Sequence, residues 1–395
     1  MPTKRNPMRA EPVEVRPSTG SGRRRVVIAP DKFKGCLPAA EVAAAVARGV
    51  RGGRPEVETV LVPVADGGDG TVAAALSAGW IEILVDAVGP TGEPRRAAYA
   101  RQDQRAVVEL AEVVGLDRLP GGRLDPMGAS TFGLGLVIKN AIQAGATEVV
   151  LGLGGSASTD GGAGMVQALG ARLLDAAGND LPSGAAALAE LATADLEPLR
   201  GALGPVAFTV ATDVDSPLLG PDGAAVVFGP QKGAGAAEVA ALESGLTRWA
   251  GVVTKAIGQD WSATPGAGAA GGTGFAALAL LGATVRPGIE VVLGLVGFAD
   301  QVAGADLVIT GEGSLDAQSL AGKAPIGVAR AAAAHGMPVV AVAGRRRLDD
   351  DDLQRAGIAA AYPLSDLEPD PAQSIARAAE LLEVTGARIA REWLS

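Results

Sequence analysis

The sequence predicts an α/β protein of two domains: a parallel-sheet domain of the Rossmann/flavodoxin-like kind and a second, mixed α/β domain, arranged discontinuously along the chain. Three observations carry this. Short β-branched runs recur and several are followed by helical patterns, the alternation of a parallel sheet wrapped by helices. These runs end in glycine and charged residues, as strand ends beside a ligand crevice do. Two stretches break the rhythm with extended segments separated by proline and glycine.

Residues 1–25 hold seven Lys or Arg against two Glu, with four prolines and no apolar core. They predict a disordered basic tail rather than a secretory signal. Val26–Ala29 reads as a strand, followed by a loop and a helix over Pro38–Val50 with Pro38 suited to its first turn. Thr59–Val64 reads as a strand leading into DGGDGT and a helix from Thr71. Ile81–Leu110 reads as extended segments joined by Gly89-Pro90-Thr91-Gly92. Glu148–Leu153 predicts a strand, then a glycine loop, then a helical segment Met165–Leu169. Val206–Ala211 and Ala225–Phe228 read as further strands. Asp306–Thr310 predicts a strand leading into GEGSLD and a helix over Lys323–His335; Pro338–Ala343 and Ile358–Tyr362 follow as strands. The acidic run Asp349–Asp352 fits a solvated helix start. Together these give a parallel domain from 26–78, 128–165 and 285–395, and a second domain from 79–127 and 166–284.

At 395 residues with 48% apolar content there is material for a large core, and with aromatics at only 3% that core is built from Ala, Val and Leu. The net charge of −10 gives no reason to expect nucleic-acid binding. The single cysteine, Cys36, excludes an intrachain disulfide and lacks zinc-site partners, and the single histidine, His335, sits near a helix end, which argues against a histidine-based triad. No run reaches the roughly 18 apolar residues of a membrane span. A cytoplasmic protein is expected by elimination.

The most informative segment is EVVLGLGGSASTDGGAG, residues 148–164. A strand feeds Gly152, Gly154 and Gly155, then Ser156, Ser158, Thr159 and Asp160, then Gly161, Gly162 and Gly164. Glycines admit close backbone approach, and amides at a helix start attract anions, so the loop is a candidate phosphate cradle. It lacks the Walker signature, and a tight turn without a ligand explains glycine density alone equally well. Gly266–Gly271 matches G-x-G-x-x-G but follows Trp261–Pro265, which is no strand, so dinucleotide binding is not expected there. A hinge or a close approach to substrate fits better. The other strand ends supply Asp31, Lys32 and Lys34; Asp66, Gly67, Gly68, Asp69 and Gly70; and Gly311, Glu312, Gly313, Ser314 and Asp316. Asp66 and Asp69 also suit a helix cap, and the lysines also suit a surface. In a parallel sheet these loops converge on one edge, giving carboxylates, glycine amides and a few lysines, a mixture suited to Mg²⁺ with polyphosphate. Asp213, Asp215 and Lys232 follow strand-like runs of the second domain and are placed to face the first across a cleft.

The strings VIAPDKFKG, VPVADGGDGT, DPMGASTFGLG, GLGGSASTDGGAGM, ATDVDSPLLG, FGPQKGA, PGAGAAGGTG and LVITGEGSLDAQSLAGKAPIGVA, from about residue 26 to 344, resemble the bacterial type I glycerate kinase family. The resemblance implies an ATP- and Mg²⁺-dependent kinase acting on D-glycerate, usually giving 2-phosphoglycerate, with two α/β domains around a cleft. By motif position it singles out Asp31, Lys34, Asp66, Ser156, Asp160, Asp213, Lys232, Glu312, Asp316 and Lys323. The expected roles are these. Backbone amides of Gly154–Gly162 (Gly154, Gly155, Ser156, Gly161 and Gly162 among them) hold ATP phosphates. Asp213, Glu312 and Asp316 hold Mg²⁺. Lys34 or Lys232 neutralises phosphate or glycerate charge. Asp66 or Asp160 accepts the proton of the attacking hydroxyl, and Asp31, Asp69 and Lys323 contact substrate. Thr159, Cys36 and Asp69 stand where the family often has Asn, Ser and Glu. A 3-phosphoglycerate product, another small hydroxy acid as acceptor, and a non-catalytic binding homologue remain alternatives. The sequence is silent on oligomeric state.

Overall fold

A computed structural model describes residues 23–320 and 322–395. The expected basic tail lies outside the described residues up to position 22, and Arg25 already belongs to a strand. Among the described residues thirteen strands occur: β1 (Arg25–Pro30), β2 (Glu58–Leu61), β3 (Ile81–Val88), β4 (Pro94–Gln102), β5 (Arg105–Glu109), β6 (Glu148–Gly152), β7 (Arg172–Leu174), β8 (Thr193–Asp195), β9 (Ala207–Ala211), β10 (Thr284–Arg286), β11 (Leu307–Leu315), β12 (Val339–Arg346) and β13 (Ala360–Pro363).

Five of them form an all-parallel sheet in the order β13-β12-β11-β1-β2. The interior strand β1 reads Val26-Val27-Ile28-Ala29 without polar alternation because both faces are covered, and all four residues are fully buried. Val26 and Ile28 pack under the helices Ala39–Gly53 and Ala378–Trp393. Val27 and Ala29 pack under Gly288–Leu295 and Ala324–Ala333. Six strands form a second, mixed sheet in the order β10-β9-β6-β5-β4-β3, parallel from β10 to β5 and antiparallel from β5 to β3. β7 and β8 make a small antiparallel pair.

The chain crosses between the large sheets more often than its composition suggests, and three expectations change. Segment 128–165 belongs to the mixed sheet, because β6 pairs with β5 and β9 rather than with any strand of the parallel one. Ala225–Phe228 is helical, not extended: Ala224 and Ala225 are buried while Val226 and Val227 both face solvent, a pattern no half-buried strand produces. The GEGSL stretch is no loop, since β11 continues through Leu315 and pairs with β12 as far as Arg346. The Thr71–Ser77 helix follows a strand of the parallel sheet yet packs on β4 and β5 of the mixed one, and with Gly288–Leu295 it fills the space between the sheets.

The helices Ala39–Gly53 and Ala378–Trp393 lie unusually close because each offers a glycine to the other's backbone. A Cβ on Gly49 would overlap the Glu383 carbonyl, and one on Gly386 the Val46 carbonyl. Overpacking of this kind costs about 1–3 kcal/mol, more than the roughly 1 kcal/mol that alanine gains over glycine in a helix. Gly49→Ala and Gly386→Ala are therefore expected to lower the midpoint of urea unfolding. Gly52→Ala, on the same helix with open space around the new methyl group, should raise it.

Candidate active site

The carboxyl ends of all five parallel strands open into one cleft of about 850 Å³, whose opposite wall comes from the mixed-sheet half of the chain. Two backbone contacts bring the halves together. A Cβ on Gly154 would lie 2.8 Å from Gly68 Cα, and one on Gly288 would overlap the Asp66 carbonyl. Only glycine permits these approaches. They set the start of the glycine loop against the DGGDG turn, whose Gly67 and Gly70 both adopt positive φ.

Asp31, Lys34, Asp66, Asp69, Gly154, Gly155, Glu312, Asp316 and Lys323 all line this cleft, together with Lys32. Asp31 is buried at the end of β1, where its Oδ1 accepts the Lys32 amide at 2.6 Å. Burial pushes its carboxyl up to about 7; the Lys32 ammonium opposes the shift, while Asp66 and Glu312 add to it. Lys32 Nζ lies 3.8 Å from Asp31 Oδ1 and 3.6 Å from Asp69 Oδ2 and donates to the Asp69 carbonyl, so it serves as an internal counterion. Burial, chiefly, also raises Glu312, and its Oε1 is a buried atom with no hydrogen-bond partner among the described residues. Asp316 is engaged by its own turn, accepting from Ser314 Oγ and the Gln318 amide, both at 3.0 Å.

Other expected site residues do not reach the cleft. Asp160 is fully buried and caps a turn: Oδ2 accepts the Thr131 amide and hydroxyl, both at 2.8 Å, and the Gly164 amide at 3.2 Å, while Oδ1 accepts the Gly162 amide at 3.2 Å. A carboxylate so occupied has no free lone pair directed at a substrate. The Gly161 amide donates to the Gly271 carbonyl at 3.0 Å, so neither it nor that of Gly162 is open to a phosphate. Lys232 is buried behind the loop, donating to Ser156 Oγ at 2.7 Å and to the Ser158 carbonyl, and burial pushes its ammonium down to about 7. The Gly266–Gly271 stretch closes over it, with a Cβ on Gly271 falling 2.7 Å from Nζ. The close approach expected of these glycines is to the glycine loop and Lys232. Asp213 lies off the cleft lining and accepts the Gly288 amide at 2.9 Å. The cleft-facing part of the glycine loop is thus Gly154 and Gly155.

Of the cleft's charged residues, Asp117, Arg118, Arg345 and Glu368 went unflagged in the sequence, as did the buried Glu109. Arg345, at the end of β12, lines the cleft and donates to Ser314 Oγ at 3.1 Å. The strand-end argument that selects Asp31 and Asp66 selects it as well, once applied to the run Pro338–Ala343. Glu109, at the end of β5, is buried and accepts the Val72 amide at 3.0 Å, tying the Thr71–Ser77 helix to the mixed sheet. Burial pushes its carboxyl up to about 7. A lone Glu closing an apolar strand gives no sequence signal of this role.

Among the described residues, no three His, Cys, Asp or Glu side chains are arranged to enclose a metal ion. The expected Asp213–Glu312–Asp316 set is therefore not a preformed cage. The unpartnered Glu312 oxygen still fits a cation that keeps most of its shell as water and phosphate.

Such a cleft, with carboxylates, lysines and glycine backbone at the edge of a parallel sheet, defines an α/β enzyme that handles a small anionic ligand. The comparisons make this specific. The family model described as "Glycerate kinase family" matches residues 26–394. The glycerate kinase of Bacillus subtilis (strain 168) is 42% identical over 369 residues, covering 93% of this chain and 97% of that protein. The glycerate 2-kinase of Escherichia coli (strain K12) is 42% identical over 347 residues, covering 86% and 90%. A solved structure of a candidate glycerate kinase 2 from Salmonella typhimurium LT2 superposes with a TM-score of 0.81 at 39% identity, covering 94% of this chain and 98% of that one. The chain belongs to the glycerate kinase family and is a kinase.

Two variants separate cleft from core. Asp160→Ala strips three backbone amides of their acceptor, each loss costing about 1–3 kcal/mol, so denaturant unfolding is expected to show a loss of about 3 kcal/mol or more. For Asp31, the folded carboxyl titrates near 7 against 3.8 when unfolded. The folded state then holds the extra proton between those values, and stability falls as pH rises through that window. Asp31→Asn should remove this slope, so its melting temperature should gain on the wild type between pH 4 and pH 8.

Proposed function

We propose that this chain transfers the γ-phosphoryl group of ATP to D-glycerate with the help of Mg²⁺, giving 2-phosphoglycerate. The observation that carries the reading is the convergence of Asp31, Asp66, Glu312, Lys34 and Lys323 with Gly154 and Gly155 on one cleft in a member of this kinase family. The 2-phospho product is supported by the E. coli relative, which carries the name glycerate 2-kinase.

Phosphoryl transfer asks a protein mainly for positioning and charge neutralisation. Asp66 is the proposed base: it lines the cleft half-buried, and its one side-chain hydrogen bond among the described residues is a 3.3 Å contact from the Gly68 amide. It is thus open to accept a proton from the attacking hydroxyl. Lys34 and Lys323 stand on the cleft wall, where their ammonium groups neutralise the glycerate carboxylate and the transferring phosphate. The Gly154 and Gly155 backbone admits phosphate oxygens. Glu312 would hold Mg²⁺, with Asp316 reaching it through water, and the ion when bound would offset polyphosphate charge. Lys232, Ser156 and Asp160 shape the loop from behind rather than touching substrate. Among the described residues no helix is long and apolar enough to cross a membrane.

The test is a ³¹P NMR assay of the purified chain with D-glycerate, ATP and Mg²⁺. A 2-phosphoglycerate resonance is expected, whereas a 3-phosphoglycerate resonance would overturn the regiochemistry alone. Asp66→Asn should lower kcat by about 10²–10⁴-fold, the range for loss of a general base, with little change in melting temperature.

A further inference from the structure

The cleft is larger than a three-carbon acid and a phosphate require, and its lining changes character along the sheet edge. At β2, β1 and β11 it carries Asp66, Asp31 and Glu312; at β12 it carries Arg345; beyond β13 it becomes largely apolar. Four strand spacings of about 4.8 Å separate β2 from β13, so the slot runs for about 19 Å. Its far end is built from Cys36, Leu364, Pro369, Ser374 and Ile375. Ile375 presents a 57% exposed side chain there, on a short helix Pro371–Ala376 that is pinned to the far side of the slot by Cys36 Sγ donating to the Ile375 carbonyl at 3.4 Å. Ser365 and Ser374 add hydroxyls to this mainly apolar wall, and Glu368 adds a carboxylate that Arg377 holds at 3.2 Å. A flat apolar end with a few polar atoms suits a heteroaromatic ring, and the sequence acid, base, apolar matches a molecule with a polyphosphate at one end and a ring at the other.

We propose that the groove between the Phe33–Cys36 turn and the Leu364–Ile375 segment is the nucleoside subsite, with Arg345 facing the phosphates nearest the ribose and the γ-phosphate reaching Asp66 and Gly154. This inference rests on the kinase reading above. It explains why an apolar residue as large as Ile375 stays exposed on a cleft wall, and it gives Arg345 a partner that the carboxylates of the reacting end do not supply.

Cys36 is the chain's one cysteine, so its alkylation by N-ethylmaleimide reports on this groove in the native protein. Saturating ATP or adenosine should slow the reaction about tenfold or more, while tripolyphosphate and D-glycerate should leave it unchanged. Ile375→Trp, which fills the groove from an exposed position, should raise the KM for ATP by about tenfold, a cost of about 1.4 kcal/mol, and leave the KM for D-glycerate as it is. Protection by tripolyphosphate equal to that by ATP, or an unchanged KM for ATP in the variant, would place the nucleoside elsewhere while leaving the kinase reading intact. Absence of ATP-dependent turnover in the wild-type chain would remove the kinase reading and this subsite with it.

Discussion

Backbone meeting backbone at Gly68 and Gly154 is the constraint on which the cleft depends. The two glycines lie in loops that follow strands of different sheets, and with Gly288 against the Asp66 carbonyl they let two separately cored layers touch where no side chain fits. A methyl group at either contact would push the sheets apart by more than the length of a hydrogen bond tolerates. The carboxylates of the parallel sheet and the glycine loop of the mixed one would then no longer share a wall. The close packing of both cores makes this geometry stiff, because the Thr71–Ser77 and Gly288–Leu295 helices fill the remaining gap with Val72, Ala75, Val291 and Leu295.

Given that geometry, the electrostatics follow. Asp31, Asp66 and Glu312 are forced together in a partly dry site, where burial first, and then the neighbouring Asp66 and Glu312 carboxylates, push Asp31 upward. Lys32 offsets part of this but is held by Asp31 and Asp69, so its charge is already spent inside the protein. A polyphosphate entering such a place needs counter-charge brought with it or supplied by the lysines and arginines of the cleft wall. A chain of net charge −10 does not provide it at large.

Much of this was legible in the sequence, for physical reasons that also mark where legibility ends. β1 and β12 are apolar on both faces, so their unbroken Val and Ala runs announce buried parallel strands. The convergence of Asp31, Asp66 and Glu312 followed from strand ends alone. The sheet to which β6 belongs did not. β6 looks like β1 in sequence, and only its pairing with β5 and β9 assigns it to the mixed sheet, a long-range choice that local patterning cannot encode. Val226 and Val227 favoured a strand by propensity, yet the buried alanines before them fold as one helical turn against the core. Arg345 hid in an arginine run, where charge alone does not tell a cleft wall from solvent.

Polar residues within the shared motifs divide by their open valence, which sequence does not display. Asp160 and Asp66 stand in similar glycine-rich surroundings, DGG in both cases, yet one has both oxygens filled by its own chain and the other keeps lone pairs toward the cleft. Lys232 and Lys34 divide the same way, the first pinned to Ser156 and the Ser158 carbonyl, the second exposed at the rim. Recruiting Asp160 or Lys232 to a substrate would mean breaking buried hydrogen bonds at about 1–3 kcal/mol for each group left unpaired, whereas Asp66 and the bare Glu312 oxygen carry no such cost. The internal set therefore fixes the loop, and the open set is left to meet whatever enters the cleft.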